Sequence, residues 1–460
     1  MAESALDVSA ASAFDWHDRP GALERLTPPW ERVRIVSPGH GIRDGSTVEL
    51  EVAFGPLRRH WLARHDACLP GRQFRDVSVR GPFPRWEHVH EFIPVSTNRC
   101  LLRDSLSYRL PGGKIGGLLG ARLVRRKLSR LFRYRHDVTR QDLAMLARLK
   151  DPTPLTIAVS GASGLVGTAL TALLTTAGHR VLKLVRRAAQ SPDELQWDAK
   201  AGLHQPERLA DVDALVLLAG ENIAAGRWTP DVMERIRSSR VDAVRAIVRS
   251  LARLQPRPRA LVSASAIGYY GDRGDELLTE SSPPGKGFLA DTAVAWEREA
   301  LAARDLNMRV AVLRIGVVLS PRGGALAKLL PLFSLGLGGP VGSGRQFMSW
   351  ISIDDVIGAI HHVVTDPDLH GPINVVAPNP VTSAEFAATL GRVLHRPAVL
   401  PAPAAALRLM LGQMAEETVL ASTRVAPEIL LRSGYAFRHD TLEAALRHVL
   451  GRHNPDTVTP

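Results

Sequence analysis

Cysteine is almost missing from this chain: Cys68 and Cys100 are the only two in 460 residues. Two thiols are too few for a disulfide framework or a structural zinc site, and their scarcity agrees with a reducing compartment. Long apolar runs are missing too. No stretch reaches eighteen residues, so no membrane-spanning helix and no integral membrane contact are expected. The first residues, Met1 to Asp7, lack the basic flank and apolar core of a secretory leader, which leaves a cytoplasmic protein as the expectation. What is present is a globular composition, 45% apolar and 23% charged, in a chain too long for one ordinary domain.

The net charge of +12 is unevenly placed. Residues 1–150 hold 26 basic side chains against 16 acidic ones, whereas the remaining 310 are close to balanced. Much of the excess lies in Arg122, Arg125, Arg126, Lys127, Arg130, Arg133 and Arg135, interleaved with Leu123, Leu128, Leu131 and Phe132 at helical spacing. This pattern predicts a helix that packs an apolar face and solvates its charges. Only Phe132 and Tyr134 offer aromatic interleaving, so nucleic acid is not an expected partner.

The most informative segment is Ile157 to Gly167, IAVSGASGLVG. A buried-strand run feeds a turn with glycines at 161, 164 and 167, and Ala169, Leu170, Leu173 and Leu174 then recur at helical spacing up to Gly178. Arg180 to Val185 reads as a second buried strand. Such a strand, glycine turn, helix and strand place a pyrophosphate against free backbone N–H groups at a helix start. About twenty residues beyond the turn, where a carboxylate would bind a ribose 2′-hydroxyl, stand Arg186 and Arg187. Guanidinium groups suit a 2′-phosphate, which favours NADP over NAD.

The GxxGxxG spacing resembles the extended, epimerase-like branch of the short-chain dehydrogenase/reductases. Leu218 to Asn222, Arg227-Trp228, Ser239-Arg240, Gly316 to Leu319, Gly336 to Pro340 and Ser349 to Asp355 narrow the likeness to the NAD-dependent epimerase/dehydratase-like proteins of the short-chain dehydrogenase family 39U type, over about residues 155–450. The resemblance implies an α/β fold, a Rossmann-type doubly wound parallel sheet with a small C-terminal cap. It also implies cofactor contacts from the turn residues Gly161, Ser163, Gly164, Leu165, Val166 and Gly167. Further contacts are implied from Arg186 and Arg187 and from the loop and strand-end residues Leu218, Ala219, Gly220, Arg240, Ser263 and Val318.

Reductases of this superfamily use a tyrosine, a lysine four residues later and a serine that polarises the substrate oxygen. Ser265, at the end of the strand Ala260 to Ser265, stands at the serine position. The helix that should carry the tyrosine and lysine reads Phe288 to Glu297, with neither group. Tyr269 and Tyr270 are the replacement candidates for proton donor, and Asp291 is a weaker one. Arg314 ends a strand either near the nicotinamide or in a packed ion pair.

Residues up to about 148 are rich in short strands, such as Ser46 to Phe54, His60 to Asp66 and Cys100 to Arg109, and close with the basic helix. Arg19 to Trp30, Gly81 to Phe92 and Phe132 to His136 resemble START-like (SRPBCC) domains of the polyketide-cyclase/dehydrase type. That resemblance implies an α+β helix-grip fold with a site for an apolar ligand. His88 and His90 share one strand face, but no carboxylate or third histidine stands at ligand spacing, so no metal is expected. The expected organisation is a START-like domain at 1–148, a proline-marked linker at 149–154, an NADP-binding domain at 155–371 and a cap region at 372–460. Two readings follow. One is an NADP-dependent oxidoreductase or epimerase acting on a small, apolar carbonyl or alcohol with an atypical proton donor. The other is a non-catalytic NADP-binding sensor coupled to a lipid- or aromatic-binding domain.

Overall fold

A computed structural model describes residues 1–452 apart from Pro56, Gly112 and Ala225, with backbone only for Phe54 and 113–119. Residues 453–460 of the expected cap region lie outside the described part. The chain divides into two compact units, one built on Met1–Pro154 and the other on most of Leu155–Val449.

The first unit is a single antiparallel sheet gripping a long helix. Its elements are β1 (Ala2–Leu6), α1 (Ala10–Asp18), α2 (Ala22–Leu26), β2 (Val33–Ser37), β3 (Thr47–Phe54), β4 (Leu57–Leu69), β5 (Gln73–Arg80), β6 (Arg85–Ser96), β7 (Arg99–Arg109) and α3 (Gly113–Leu146). The seven strands lie in the order β1-β7-β6-β5-β4-β3-β2. Period-two alternation along β6 sends Trp86, His88, His90 and Phe92 to the buried face. The 34 residues of α3 cover that face: the Phe132 ring meets His88 edge-on at 5.1 Å, and Val138 and Leu143 are buried. A buried bidentate pair, Arg25 to Asp142 at 2.9 and 2.8 Å, joins α2 to α3. Of the seven basic residues, Arg122, Arg125, Arg126 and Lys127 are solvated as expected, whereas Arg130, Arg133 and Arg135 are half-buried, Arg135 donating to the Leu26 carbonyl at 3.2 Å, and Leu123 is 73% exposed rather than part of the apolar face.

The second unit is built on an eight-stranded sheet. In chain order it runs β8 (Thr156–Ser160), α4 (Leu165–Thr176), β9 (Arg180–Val185), β10 (Glu194–Asp198), β11 (Gly202–Leu203), β12 (Ala214–Leu217), α5 (Pro230–Ala252), β13 (Ala260–Ala266), β14 (Leu277–Leu278), α6 (Phe288–Leu301), β15 (Arg309–Ile315), β16 (Val317–Leu319), α7 (Gly324–Ser334), β17 (Phe347–Met348), β18 (Trp350–Ser352), α8 (Ile353–Thr365) and β19 (Gly371–Val375). The sheet order is β11-β10-β9-β8-β12-β13-β15-β19. Neighbours are parallel except β11, which closes one edge antiparallel to β10, so the sheet is mixed rather than wholly parallel. Strands β8, β12 and β15 are nearly continuous apolar runs because both faces of a parallel sheet are covered.

After β19 the chain adds β20 (Val381–Thr382), α9 (Ser383–Leu394), α10 (Ala404–Leu411), β21 (Arg424–Val425), α11 (Glu428–Arg432) and α12 (Leu442–Leu450). A reciprocal capping box between Thr382 and Glu385 starts α9. Two-stranded ribbons tie these pieces back, β17 to β20 and β14 to β21. Because β19 pairs with β15 from Gly371 onward, the expected boundary after residue 371 cuts a strand of the main sheet; the added region starts after Val375. Among the described residues no helix is long and apolar enough to cross a membrane.

Candidate functional site

The strand order reverses between β8 and β12, and the parallel register sets Ser160 beside Leu217, so both carboxyl ends open at one level. That is where open α/β sheets hold ligands. The Ser160 hydroxyl accepts from the Leu218 and Ala219 N–H groups at 3.2 and 3.4 Å, which draws the 218–219 loop against the glycine turn. Gly161 has φ +71°, and a Cβ there would lie 2.9 Å from Ala219 N. At Gly167 a Cβ would lie 2.1 Å from the Gly161 carbonyl oxygen. These two glycines are required by packing of the turn on itself and on its neighbour. Gly164 differs: its Cβ would meet only Gly161 O, at 3.3 Å, and both Gly164 and Ser163 are exposed. The first turn of α4, Leu165 to Gly167, therefore begins directly after two exposed residues, with its free N–H groups and positive dipole end at that start. Val318 lies on β16; the residue near this turn is Gly323, beyond that strand, where a Cβ would lie 3.3 Å from the Leu165 side chain.

The two arginines after β9 are not equivalent. Arg187 forms a bidentate pair with Glu194 of β10 at 2.8 and 2.6 Å, and the carboxyl is pulled down to about 2 by that contact. Arg186 is exposed and has no ion pair among the described residues. Arg240 on α5 donates to the carbonyls of Ile236 and Glu221 at 2.9 and 2.8 Å, and Ser239 accepts from Glu221 N at 3.0 Å, so the two clamp the turn at Gly220. Burial pulls the Arg240 guanidinium down to about 10. Ser263 is fully buried, and its hydroxyl donates to the Ala264 carbonyl at 3.1 Å.

The expected catalytic residues meet in one buried network. Ser265 donates to Glu297 of α6 at 2.7 Å, and Glu297 receives Arg314 of β15 through two nitrogens, both at 2.9 Å. Arg314 also donates to the Tyr270 hydroxyl at 3.0 Å, and that hydroxyl meets Asn374 Oδ1 at 2.7 Å. Burial opposes the charge on Arg314, but Glu297 outweighs it and raises the pKa above its usual value. Burial also pushes Tyr270 up to about 12. Ser265 is 3% exposed and Tyr270 0%; the residue that faces out at the end of β13 is Ala266. Ser265 and Tyr270, expected to face substrate, thus sit inside the packing with their hydroxyls engaged. Tyr269 remains half-buried, with the Arg314 guanidinium 3.5 Å over its ring, and Asp291 is an exposed charge. Sequence reasoning missed Glu297. Its signal was Arg314 itself, since a cation within an apolar strand requires a buried acceptor.

The buried face of the first unit's sheet carries a polar cluster among the rings of Phe74, Trp86 and Phe92. Asp76 on β5, His88 and His90 on β6 and Asp104 on β7 stand side by side, because the register pairs Asp76 with His88 and His90 with Asp104. Asp76 supplies the carboxylate that the sequence around the histidines lacks, from across the ladder. Burial works against a charge on His88, but Asp76 and Asp104 on either side outweigh it and push its pKa up to about 9. His17 nearby is driven by burial down to about 3.

Comparison with known proteins places these sites in a lineage. Residues 157–377 match the NAD dependent epimerase/dehydratase family, residues 6–132 the family described as polyketide cyclase/dehydrase and lipid transport, and residues 402–449 a domain of unknown function. An epimerase family protein of Mycobacterium bovis, Mb2239, is 43% identical over 296 residues, 64% of this chain and 98% of that protein. The crystal structure of a nucleoside-diphosphate sugar epimerase from Corynebacterium glutamicum superposes with a TM-score of 0.80 at 36% identity, covering 98% of this chain and 89% of that one. The human epimerase family protein SDR39U1, crystallised with NADPH, gives a TM-score of 0.60 at 35% identity over 64% of this chain and 99% of its own. With the glycine turn, the mixed Rossmann-like sheet and the C-terminal region all matched, the chain belongs to the epimerase family of NAD-dependent epimerase/dehydratase type, preceded by a polyketide-cyclase-type domain.

Proposed function

We propose that the Leu155–Val449 unit binds NADP(H) and catalyses hydride transfer to or from a small carbonyl or alcohol, with Tyr269 as the proton donor. The observation that carries the cofactor reading is Arg186, a solvated guanidinium without an ion pair among the described residues, just after β9, the strand paired with β8. The turn fits a pyrophosphate through its exposed residues Ser163 and Gly164, which lie just before the start of α4. A relative of this chain, human SDR39U1, was crystallised with NADPH. When bound, the nicotinamide supplies or accepts the hydride. The chain's own residues supply the rest: Leu165 to Gly167 orient the phosphates, Arg186 reads the 2′-phosphate, and Arg240 fixes the Gly220 turn. Arg314 lies over the face of the Tyr269 ring, Glu297 and Tyr270 hold Arg314, and Ser265 holds Glu297. Glu297, Tyr270 and Ser265 are positioning residues. For the Met1–Pro154 unit the match to a lipid-transport family supports a small, largely apolar ligand.

The test is NADPH oxidation against a panel of aldehydes and ketones. Turnover by the wild-type chain that falls about 10²–10⁴-fold in Tyr269→Phe, with NADPH still bound, is the expected result. Turnover unchanged in Tyr269→Phe contradicts the donor assignment. NADPH binding without oxidation by any carbonyl contradicts the enzyme reading and leaves a cofactor-binding module.

A further inference from the structure

We infer that Asp76, His88 and His90 form a binding site for a divalent transition-metal ion on the inner face of the first unit's sheet, with a coordination position left open. One ligand atom from each residue lies within 4.8 Å of the others. Asp76 Oδ1 stands 3.1 Å from His88 Nδ1 and 3.4 Å from His90 Nε2. Ligands held 2.0–2.1 Å from a tetrahedral ion are separated by about 3.3 Å, and the two distances from Asp76 Oδ1 match that spacing.

The surroundings are arranged as an outer shell. Trp86 Nε1 donates to Asp76 Oδ2 at 3.0 Å, which leaves Oδ1 for the histidines. On the far edge of both rings stands Asp104 Oδ1, 3.3 Å from His88 Nε2 and 2.7 Å from His90 Nδ1. Asp104 Oδ2 meets His136 Nε2 at 2.9 Å, and His136 Nδ1 meets Ser4 Oγ at 2.9 Å. Phe74 stacks on His90 at 4.1 Å and Phe132 abuts His88 at 5.1 Å, so neither imidazole is free to turn away.

Three buried atoms in the cluster face one another: His88 Nε2 and His90 Nδ1 both point at Asp104 Oδ1. That contact leaves the opposite edge of each ring, His88 Nδ1 and His90 Nε2, turned toward Asp76 Oδ1. With His88 Nδ1 and His90 Nε2 on the metal, the imidazole protons reside on His88 Nε2 and His90 Nδ1, the two nitrogens that face Asp104 Oδ1. That is the carboxylate–histidine–metal arrangement that fixes ligand tautomers. Two imidazoles with one carboxylate suit zinc, iron, cobalt or nickel rather than magnesium or calcium. Three protein ligands leave a position for water or for an oxygen atom of a bound molecule. It opens on the Asp76 side, where the side chain is 18% exposed against 1% for His88.

The test uses the full chain stripped with a chelator and titrated with Zn²⁺ by calorimetry and with Co²⁺ by visible absorption. The expected result is one tight equivalent of Zn²⁺ and d–d bands typical of nitrogen and oxygen ligands. Affinity falls at least tenfold in Asp76→Asn and in His90→Gln, and stays unchanged in His370→Gln, which alters an exposed histidine. Two results overturn the site: no stoichiometric uptake by wild-type chain whose circular dichroism shows it folded, or uptake undiminished in both site variants. If a buried variant fails to fold, the wild-type Co²⁺ spectrum decides, since bound Co²⁺ with only the bands of the hydrated ion contradicts coordination by these residues.

Discussion

Each unit buries a polar network, and the two use their atoms differently. In the Leu155–Val449 unit, Glu297 receives two nitrogens of Arg314 and the Ser265 hydroxyl, and Arg314 passes a further hydrogen bond to Tyr270. In the Met1–Pro154 unit, one oxygen of Asp76 and one of Asp104 each face both imidazoles of His88 and His90, at 2.7 to 3.4 Å. The first network is closed: its charges cancel pairwise in bidentate geometry, and it serves to hold Tyr269 and the end of β13. The second is shared: single carboxylate oxygens divide their contacts between two rings, without bidentate geometry.

Cutting the closed network should have the largest effect. Glu297→Ala leaves Arg314, 3% exposed, as an uncompensated buried cation, and a loss of about 3–5 kcal/mol is expected in urea denaturation. A loss under about 1 kcal/mol would mean that the network is not the closed unit described. Asp76→Asn in metal-free protein should cost less, about 1–2 kcal/mol in the same measurement, because His88 keeps Asp104 at 3.3 Å. A cost equal to that of Glu297→Ala would erase the distinction between the two clusters. Tyr270→Phe should cost about 1 kcal/mol, since Arg314 retains Glu297 when the hydroxyl is removed. Thermal melting of that variant checks it, and a Tyr269→Phe variant with the same or larger loss would place both rings in the packing.

What the sequence revealed and what it hid divide along the same line as local and non-local contact. The glycine turn, β9 and the end of β13 were legible because strand, turn and helix signals lie within a few residues of one another. The basic helix was legible for the same reason, although Leu123 did not follow its stripe. The partners of the charged residues were not legible. Glu194 reaches Arg187 across the β9–β10 ladder, Glu297 reaches Arg314 from a helix seventeen residues earlier, and Asp76 reaches His88 from the neighbouring strand. Spacing along the chain cannot show a carboxylate delivered by strand register. The same blindness made Arg186 and Arg187 look alike, and it hid the inward turn of Ser265.

The central claim is that the second unit binds NADPH with Arg186 reading the 2′-phosphate, and calorimetric titration with NADPH and NADH tests it most directly. Losing one charge-assisted contact corresponds to about 10–100-fold in affinity. The expected outcome is that wild type prefers NADPH, that Arg186→Ala loses this preference while its NADH affinity stays the same, and that Arg187→Ala changes little. Equal affinity of the wild-type chain for the two cofactors, or an NADPH preference that survives Arg186→Ala, would contradict it.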